Sequence, residues 1–378
     1  MSTAALSIPR AAVRSRFREL DWQLVVYLVL LIAVGWILGY SASYGQPVAA
    51  GALSQSVKTL IWLVVGVAGF AAAAAMDYRW LRTLAIPMYL VVIGLLVITL
   101  LVGDATGGSQ LSVAIGPLEF QFSEISKVLM VVVLAVYLVS RGDRVGRLST
   151  ILGAAALMAV PAALVFRQPD LGTALVFGAV LIGMLFMAGA GLGWLAGLGA
   201  LAVASLPGAI GLLHDYQRAR LLCFLDPSVD PQGACYQLVQ SLNAVGSGGW
   251  LGQGLTAGRH NQLGHLPVQS TDFIFTVMAE ELGFVGGLIL LILFGLLLWR
   301  VLRIGWGAAD GLGRLVSMGV ATIIVFQVLI NVGMVVGIMP VTGIPLPFIT
   351  YGGASLVSLC IGLGLVESVR IHAERHRF

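Results

Sequence analysis

Ten nearly unbroken apolar stretches divide the chain, at about 22–40, 60–76, 84–102, 125–140, 150–166, 173–189, 191–213, 273–299, 315–338 and 353–369. Each approaches the roughly 20 residues that a helix needs to cross a bilayer. The sixth and seventh are separated by little more than Gly189–Gly191. The pattern predicts an all-α polytopic membrane protein of about ten transmembrane helices, and an even count puts both termini on one side. One polar interruption is long, residues 214–271 between helices 7 and 8. A structureless loop of that length is unusual, so short helices are expected within it, for example around Tyr236–Val245. The expected organisation is a basic cytoplasmic tail at 1–21, a single membrane domain at 22–370 carrying the extracellular loop 214–271, and a cytoplasmic tail at 371–378. Trp22 and Tyr40 flank the first span as interface anchors do.

Composition agrees. Of 378 residues 59% are hydrophobic and only 10% charged, with a mean hydropathy of +0.98, which excludes an ordinary soluble domain. With an inside N-terminus, fifteen of the 21 basic residues fall in inner segments, as the positive-inside rule requires. The net charge of +4 therefore reflects topology and not a nucleic-acid surface. Small residues at Ser41–Ser43 resemble a signal-peptidase site, but the apolar run before them is long and nine more follow, so it reads as an uncleaved anchor. The three cysteines have no metal or redox spacing. Cys223 and Cys235 share the outer loop, where a disulfide between them is open; Cys360 lies in the last span.

The candidate chemistry gathers around the outer segments. The stretch 264–283, GHLPVQSTDFIFTVMAEELG, puts Asp272 where water gives way to lipid, with Thr271 placed to N-cap the following helix. The plain alternative is that Asp272 only caps that helix. Glu124 and Lys127 are three apart and share a helix face. They form either a structural ion pair with Lys127 snorkelling or part of a water-filled cavity. Asp170 sits in a Gln-Pro-Asp-Leu-Gly-Thr turn between spans five and six, with residue types that turns favour. Arg218 and Arg220, in Asp215–Arg220, oppose the positive-inside trend and suit phosphate oxygens, which arginine binds bidentately. The Gly-rich run 246–254 lacks the Lys-Ser/Thr ending of a Walker loop. Gln327 and Asn331, four apart, read as interhelical glue. The proline-rich run 340–348 reads as a rigid re-entrant or surface segment.

Taken in order, QFSEISK (121–127), QPDLGTA (168–174), DYQRAR (215–220), SGGWLGQG (247–254), STDFIFTVMAEELGF (270–284) and NVGMVVGIMPVTGIPLPFITYGGAS (331–355) resemble the SEDS family of bacterial shape, elongation, division and sporulation proteins. The resemblance covers nearly the whole chain. PVTG and QPDLGTALVF look more like the elongation member than the division member. The chain departs from the family pattern at Leu111 and Ser112, at Phe122, at Val268 and at Ser270, so roles of the usual residues there do not carry over.

The resemblance implies a peptidoglycan glycosyltransferase in the bacterial cytoplasmic membrane. Its active site would face outside and polymerise lipid II beside a class B penicillin-binding protein. On that reading Asp272 is the catalytic base. Arg218, Arg220 and Lys127 meet the charge of the leaving pyrophosphate, and Glu124, Asp170 and Gln121 join them in binding substrate. A divalent cation, Mg or Mn, bridging Asp272 and pyrophosphate is an alternative to one of the basic residues. The residues leave open two other classes, a lipid flippase or transporter and a scaffold for its partner. Charges near the midplane and matching broken helices, which transporters tend to show, are not evident in the sequence.

Overall fold

The computed structural model describes residues 20–43, 55–103, 105–106, 109–110, 112–115, 118–258 and 271–374. The basic tail before residue 20, Leu111, residues 264–270 of the aspartate motif and the last four residues lie outside them. Every predicted apolar run forms a helix. In chain order these are α1 (Trp22–Ser43), α2 (Gln55–Ala75), α3 (Leu81–Val102), α4 (Phe122–Arg141), α5 (Leu148–Arg167), α6 (Leu171–Met187) and α7 (Leu192–Leu212). After the long loop come α10 (Ile274–Trp306), α11 (Gly311–Val335) and α12 (Gly353–Glu374). Eight of the ten are long and apolar enough to cross a membrane, while α6 and the apolar part of α7 are shorter. Two small antiparallel hairpins precede α4, Ala105–Thr106 with Ser109–Gln110 and Val113–Ile115 with Leu118–Phe120.

Among the described residues the loop at 214–271 holds two further helices, α8 (Asp215–Leu225) and α9 (Tyr236–Gly248). The second matches the helix expected around Tyr236–Val245. Cys223, near the end of α8, is bonded to Cys235, just before α9, so the two loop helices are joined covalently.

The centre of the bundle is α4, α11 and α12, whose apolar windows are 67%, 72% and 83% buried. These helices carry the internal polar groups, because a polar atom facing lipid has no partner. At the end opposite the loop, the first residue of the bundle is tied down by charge. The backbone N–H of Asp21 donates to Glu367 Oε1 at 2.8 Å, and Arg300 pairs with Asp21 Oδ2 at 2.6 Å. Asp21, assigned to the tail from sequence, is buried and belongs to the bundle.

One helix is broken, and the break positions the candidate site. Gly283, inside α10, has φ 65° and ψ −165°, a conformation essentially reserved for glycine. Carbonyls before such a break and N–H groups after it lose their helical partners. The Gly-rich run 247–254 replaces them. Gln253 N–H and Gly254 N–H donate to the Glu280 and Glu281 carbonyls at 3.0 and 2.9 Å, while Phe284 N–H and Val285 N–H donate to Gly249 O and Trp250 O at 2.9 and 3.1 Å. A Cβ on Gly283 would fall 2.4 Å from Gly252 N, so only glycine admits the loop. The run that was no Walker motif is thus a backbone clamp. It holds the short helix Ile274–Leu282 at an angle fixed by the loop.

Candidate active site

A cavity of about 930 Å³ opens at the loop end of the bundle. Its walls come from the starts of α2, α4 and α12, the α5–α6 turn, α8, the turn before α10, and the irregular segment 341–352.

Asp272 lines it. Helix α10 begins at Ile274 with Phe273 as N-cap residue, so Thr271 and Asp272 form a turn ahead of the helix. This corrects the expected capping role: neither side chain caps α10. The turn is pinned from two sides. The Asn331 amide of α11 donates to Asp272 O at 3.0 Å and to Ile344 O at 2.8 Å. Thr350 donates its hydroxyl to Thr271 O at 3.1 Å and accepts from Leu346 N–H at 2.7 Å. The proline-rich segment packs against the bundle, with Ile344, Leu346, Phe348 and Ile349 buried.

Arg220 faces Asp272. A methyl group placed on Gly343, whose φ is +74°, would lie 3.5 Å from Asp272 Oδ2 and 3.8 Å from Arg220 Nη1. The two side chains flank one point without a direct ion pair between them. Arg220 also stacks its guanidinium over Tyr216, 5.6 Å from the ring centroid and four residues earlier on α8. Tyr216 in turn donates its hydroxyl to Pro169 O at 2.7 Å, and Gln217 donates its amide to the same oxygen at 3.1 Å. Helix α8 is therefore docked on the Gln-Pro-Asp turn. Arg220 comes into position through that contact.

Asp170 lines the same cavity. It caps α6 by accepting from Thr173 N–H at 2.9 Å, as a turn aspartate should, and its other oxygen accepts from the Gln121 amide at 3.2 Å. Glu124 faces the cavity from the first turn of α4, with one oxygen bonded to Lys127 Nζ at 2.7 Å and the other unpartnered. Lys127 does not line the cavity. It is buried behind Glu124.

Arg218 is separated from the cavity altogether. It donates to Ile210 O at 3.0 Å and to Gly211 O at 2.7 Å, satisfying carbonyls at the C-terminus of α7. Of the residues assigned from sequence, the structure gathers Asp272, Arg220, Asp170, Gln121 and Glu124 around one space, with Lys127 behind and Arg218 outside. The sequence reading missed Tyr216 and Gln217, which dock α8, and Thr350, which pins the aspartate turn. The four-residue spacing from Tyr216 to Arg220 was the available signal.

Burial pushes the Asp272 carboxyl above the usual aspartate range. Arg220 opposes the rise, Asp170 adds to it, and a hydrogen bond with the Thr271 side chain opposes it. Asp170 is raised for the same main reason, against the pull of its Thr173 hydrogen bonds. A carboxylate whose pKa is raised by burial, beside a fixed guanidinium, has the make-up of a general base next to a charge stabiliser. Among the described residues no three His, Cys, Asp or Glu side chains gather as metal ligands. A divalent cation here would have Asp272 and substrate oxygens as its ligands, without a protein cage.

Comparison with known proteins points to one family. A family model described as "Cell cycle protein", covering FtsW, RodA and SpoVE, matches residues 21–375. Stage V sporulation protein E of Bacillus subtilis is 35% identical, over 92% of this chain and 96% of that protein. Peptidoglycan glycosyltransferase MrdB of Escherichia coli K12 is 37% identical, over 94% of each. Among solved structures, a chain from "Structural coordination of polymerization and crosslinking by a peptidoglycan synthase complex" superposes with a TM-score of 0.78 at 32% identity, covering 94% of this chain and 98% of that one. The rod shape determining protein RodA of Thermus thermophilus gives 0.69 at 30% identity, over 93% and 96%. The chain belongs to the SEDS family of shape, elongation, division and sporulation proteins.

Proposed function

We propose that the chain is a peptidoglycan glycosyltransferase. It polymerises lipid II into glycan strands at the outer face of the bacterial cytoplasmic membrane during cell elongation, beside a class B penicillin-binding protein. The observation that carries the reading is the Asp272 carboxylate facing Arg220 inside a cavity large enough for sugar and diphosphate. Relatives named peptidoglycan glycosyltransferase and a structural neighbour from a peptidoglycan synthase complex support it. The outward orientation rests on the distribution of arginines, and the elongation role on the PVTG and QPDLGTALVF segments.

In the reaction, Asp272 accepts the proton of the acceptor sugar's 4-hydroxyl as its oxygen forms a bond to the donor's anomeric carbon. The bond from that carbon to the donor's phosphate oxygen breaks, and its electron pair leaves with undecaprenyl pyrophosphate. A single displacement inverts the α-linked donor to a β-1,4 product. Arg220 meets the charge that develops on the leaving diphosphate. Asp170 and Gln121 form one wall, and Glu124, paired with Lys127, stands beside it. A positioned base contributes about 10²–10⁴-fold. The test is incubation of the purified chain and its cognate penicillin-binding protein with labelled lipid II. Glycan strands of many disaccharides are expected. Transfer of lipid II across vesicles without any polymer would defeat the reading and favour a transporter.

A further inference from the structure

A second cation besides Arg220 lines the cavity. Lys58 of α2 lines it and makes no ion pair among the described residues. Four residues on along the same helix face lies Trp62, whose indole rests on the backbone of Gly353: a Cβ there would fall 2.2 Å from the ring. Lys58 is thus one turn from the start of α12. That 22-residue helix opens into the cavity through Gly352–Ser355. Its first backbone bond runs from Leu356 N–H to Gly352 O, so the N–H groups of Gly353, Ala354 and Ser355 precede the hydrogen-bonded turns, as at any helix start. Ser355 lines the cavity, is only 6% exposed, and its hydroxyl has no partner. Such a helix start binds anions. Two carboxylates also line the cavity: Glu124 is matched by Lys127, and Glu119 is exposed, so solvent screens its charge.

We propose that Lys58, the N-terminus of α12 and Ser355 form a second diphosphate site, and that it holds the acceptor lipid while Arg220 holds the donor. The proposal rests on the polymerase reading. Donor chemistry happens at the carbon bonded to its own diphosphate, so the donor's diphosphate must sit by Asp272 and Arg220. The acceptor's 4-hydroxyl is two sugar rings away from its own diphosphate. That group must therefore be anchored at a distance from Asp272, and the Lys58 end of the same cavity supplies the anchor. An apolar groove between α1 and α2, lined by Trp36, Gly39, Tyr40 and Thr59, meets the cavity at Trp62 and Tyr351.

Native mass spectrometry of the full chain carrying Asp272→Asn counts bound lipid II without turnover. Two molecules per chain are expected, falling to one when Lys58→Ala is added. Ser355→Ala should weaken the second binding by about tenfold or more, as expected for a lost hydrogen bond to a charged group. Lys58→Ala should leave the Tm unchanged, which separates lost binding from lost fold. A single lipid in the parent, or two retained in the Lys58→Ala protein, would overturn the inference. So would Lys58-dependent binding of inorganic pyrophosphate in a chain that takes one lipid, since the site would then serve free diphosphate. A chain that polymerises yet binds one lipid refutes only this inference. One that binds two and makes no glycan refutes the polymerase reading instead.

Discussion

Gly283→Ala tests whether the clamp on α10 sets the position of Asp272. The substituted residue would have to hold φ 65° and ψ −165°, which costs a non-glycine residue about 1–3 kcal/mol. Its Cβ would also sit 2.4 Å from Gly252 N and 2.7 Å from Trp250 O, so the loop must retreat. Four backbone hydrogen bonds cross that contact. Each contributes about 0.5–1.5 kcal/mol net, and losing two of them brings the local cost to about 2–6 kcal/mol. That is a large share of the stability of an ordinary domain. The short helix Ile274–Leu282 would then no longer be fixed against the bundle, and a shift of about 1 Å in a reacting group costs on the order of 100-fold. The control is Gly295→Ala in the same helix, where a Cβ meets nothing within 4 Å and alanine should stabilise slightly. Thermal unfolding of the purified proteins and kcat/KM for lipid II are the measurements. Gly283→Ala should lower both and Gly295→Ala neither. Identical behaviour of the two variants would refute the clamp.

Three further outcomes follow from the site. Arg220→Gln should lower kcat/KM by about 10–100-fold, the loss of a charge-assisted hydrogen bond, whereas Arg218→Ala should lower thermal stability and leave kcat/KM nearly intact. Equal kinetic losses would place both at substrate. Lys127→Met leaves Glu124 buried and unpaired, which should destabilise the protein by about 3–5 kcal/mol. Adding Glu124→Gln should recover most of the Tm, and no recovery would mean the pair is not the relevant partner. In the pH profile of kcat/KM, activity requires Asp272 deprotonated and is lost as pH falls. Because burial raises its pKa, the acidic limb should lie above the ordinary aspartate range. Arg220→Gln removes an influence that lowers that pKa, so the limb should move to still higher pH, and a limb that stays in place would contradict the facing geometry.

Much of this was legible in the chain. Ten apolar runs gave ten helices because the bilayer fixes span length. The three-residue spacing of Glu124 and Lys127 gave their ion pair because i and i+3 share a helix face. Arg218 and Arg220 could not be told apart while 215–225 was read as loop. Once it is helix, residues two apart point away from each other, and one binds the end of α7 while the other faces Asp272. The break in α10 was hidden for another reason. Gly283 is one glycine among 48, and what makes it special is the loop segment 249–254 far upstream in the sequence. Thr271 looked like a cap because its sequence fits one, yet Asn331 and Thr350 hold that turn outside the helix. Tertiary hydrogen bonds decided the local conformation there.

The most direct test of the account is the Asp272→Asn protein, purified with its penicillin-binding partner and given labelled lipid II. Asn331 holds the backbone carbonyl of residue 272 and not its side chain, so the turn should survive the change and the Tm should match the wild type. The amide cannot accept the proton of the 4-hydroxyl. Polymerisation should therefore fall by at least about 100-fold while lipid II still binds. Wild-type rates of glycan synthesis by the folded Asp272→Asn protein would contradict the assignment of Asp272 as the base.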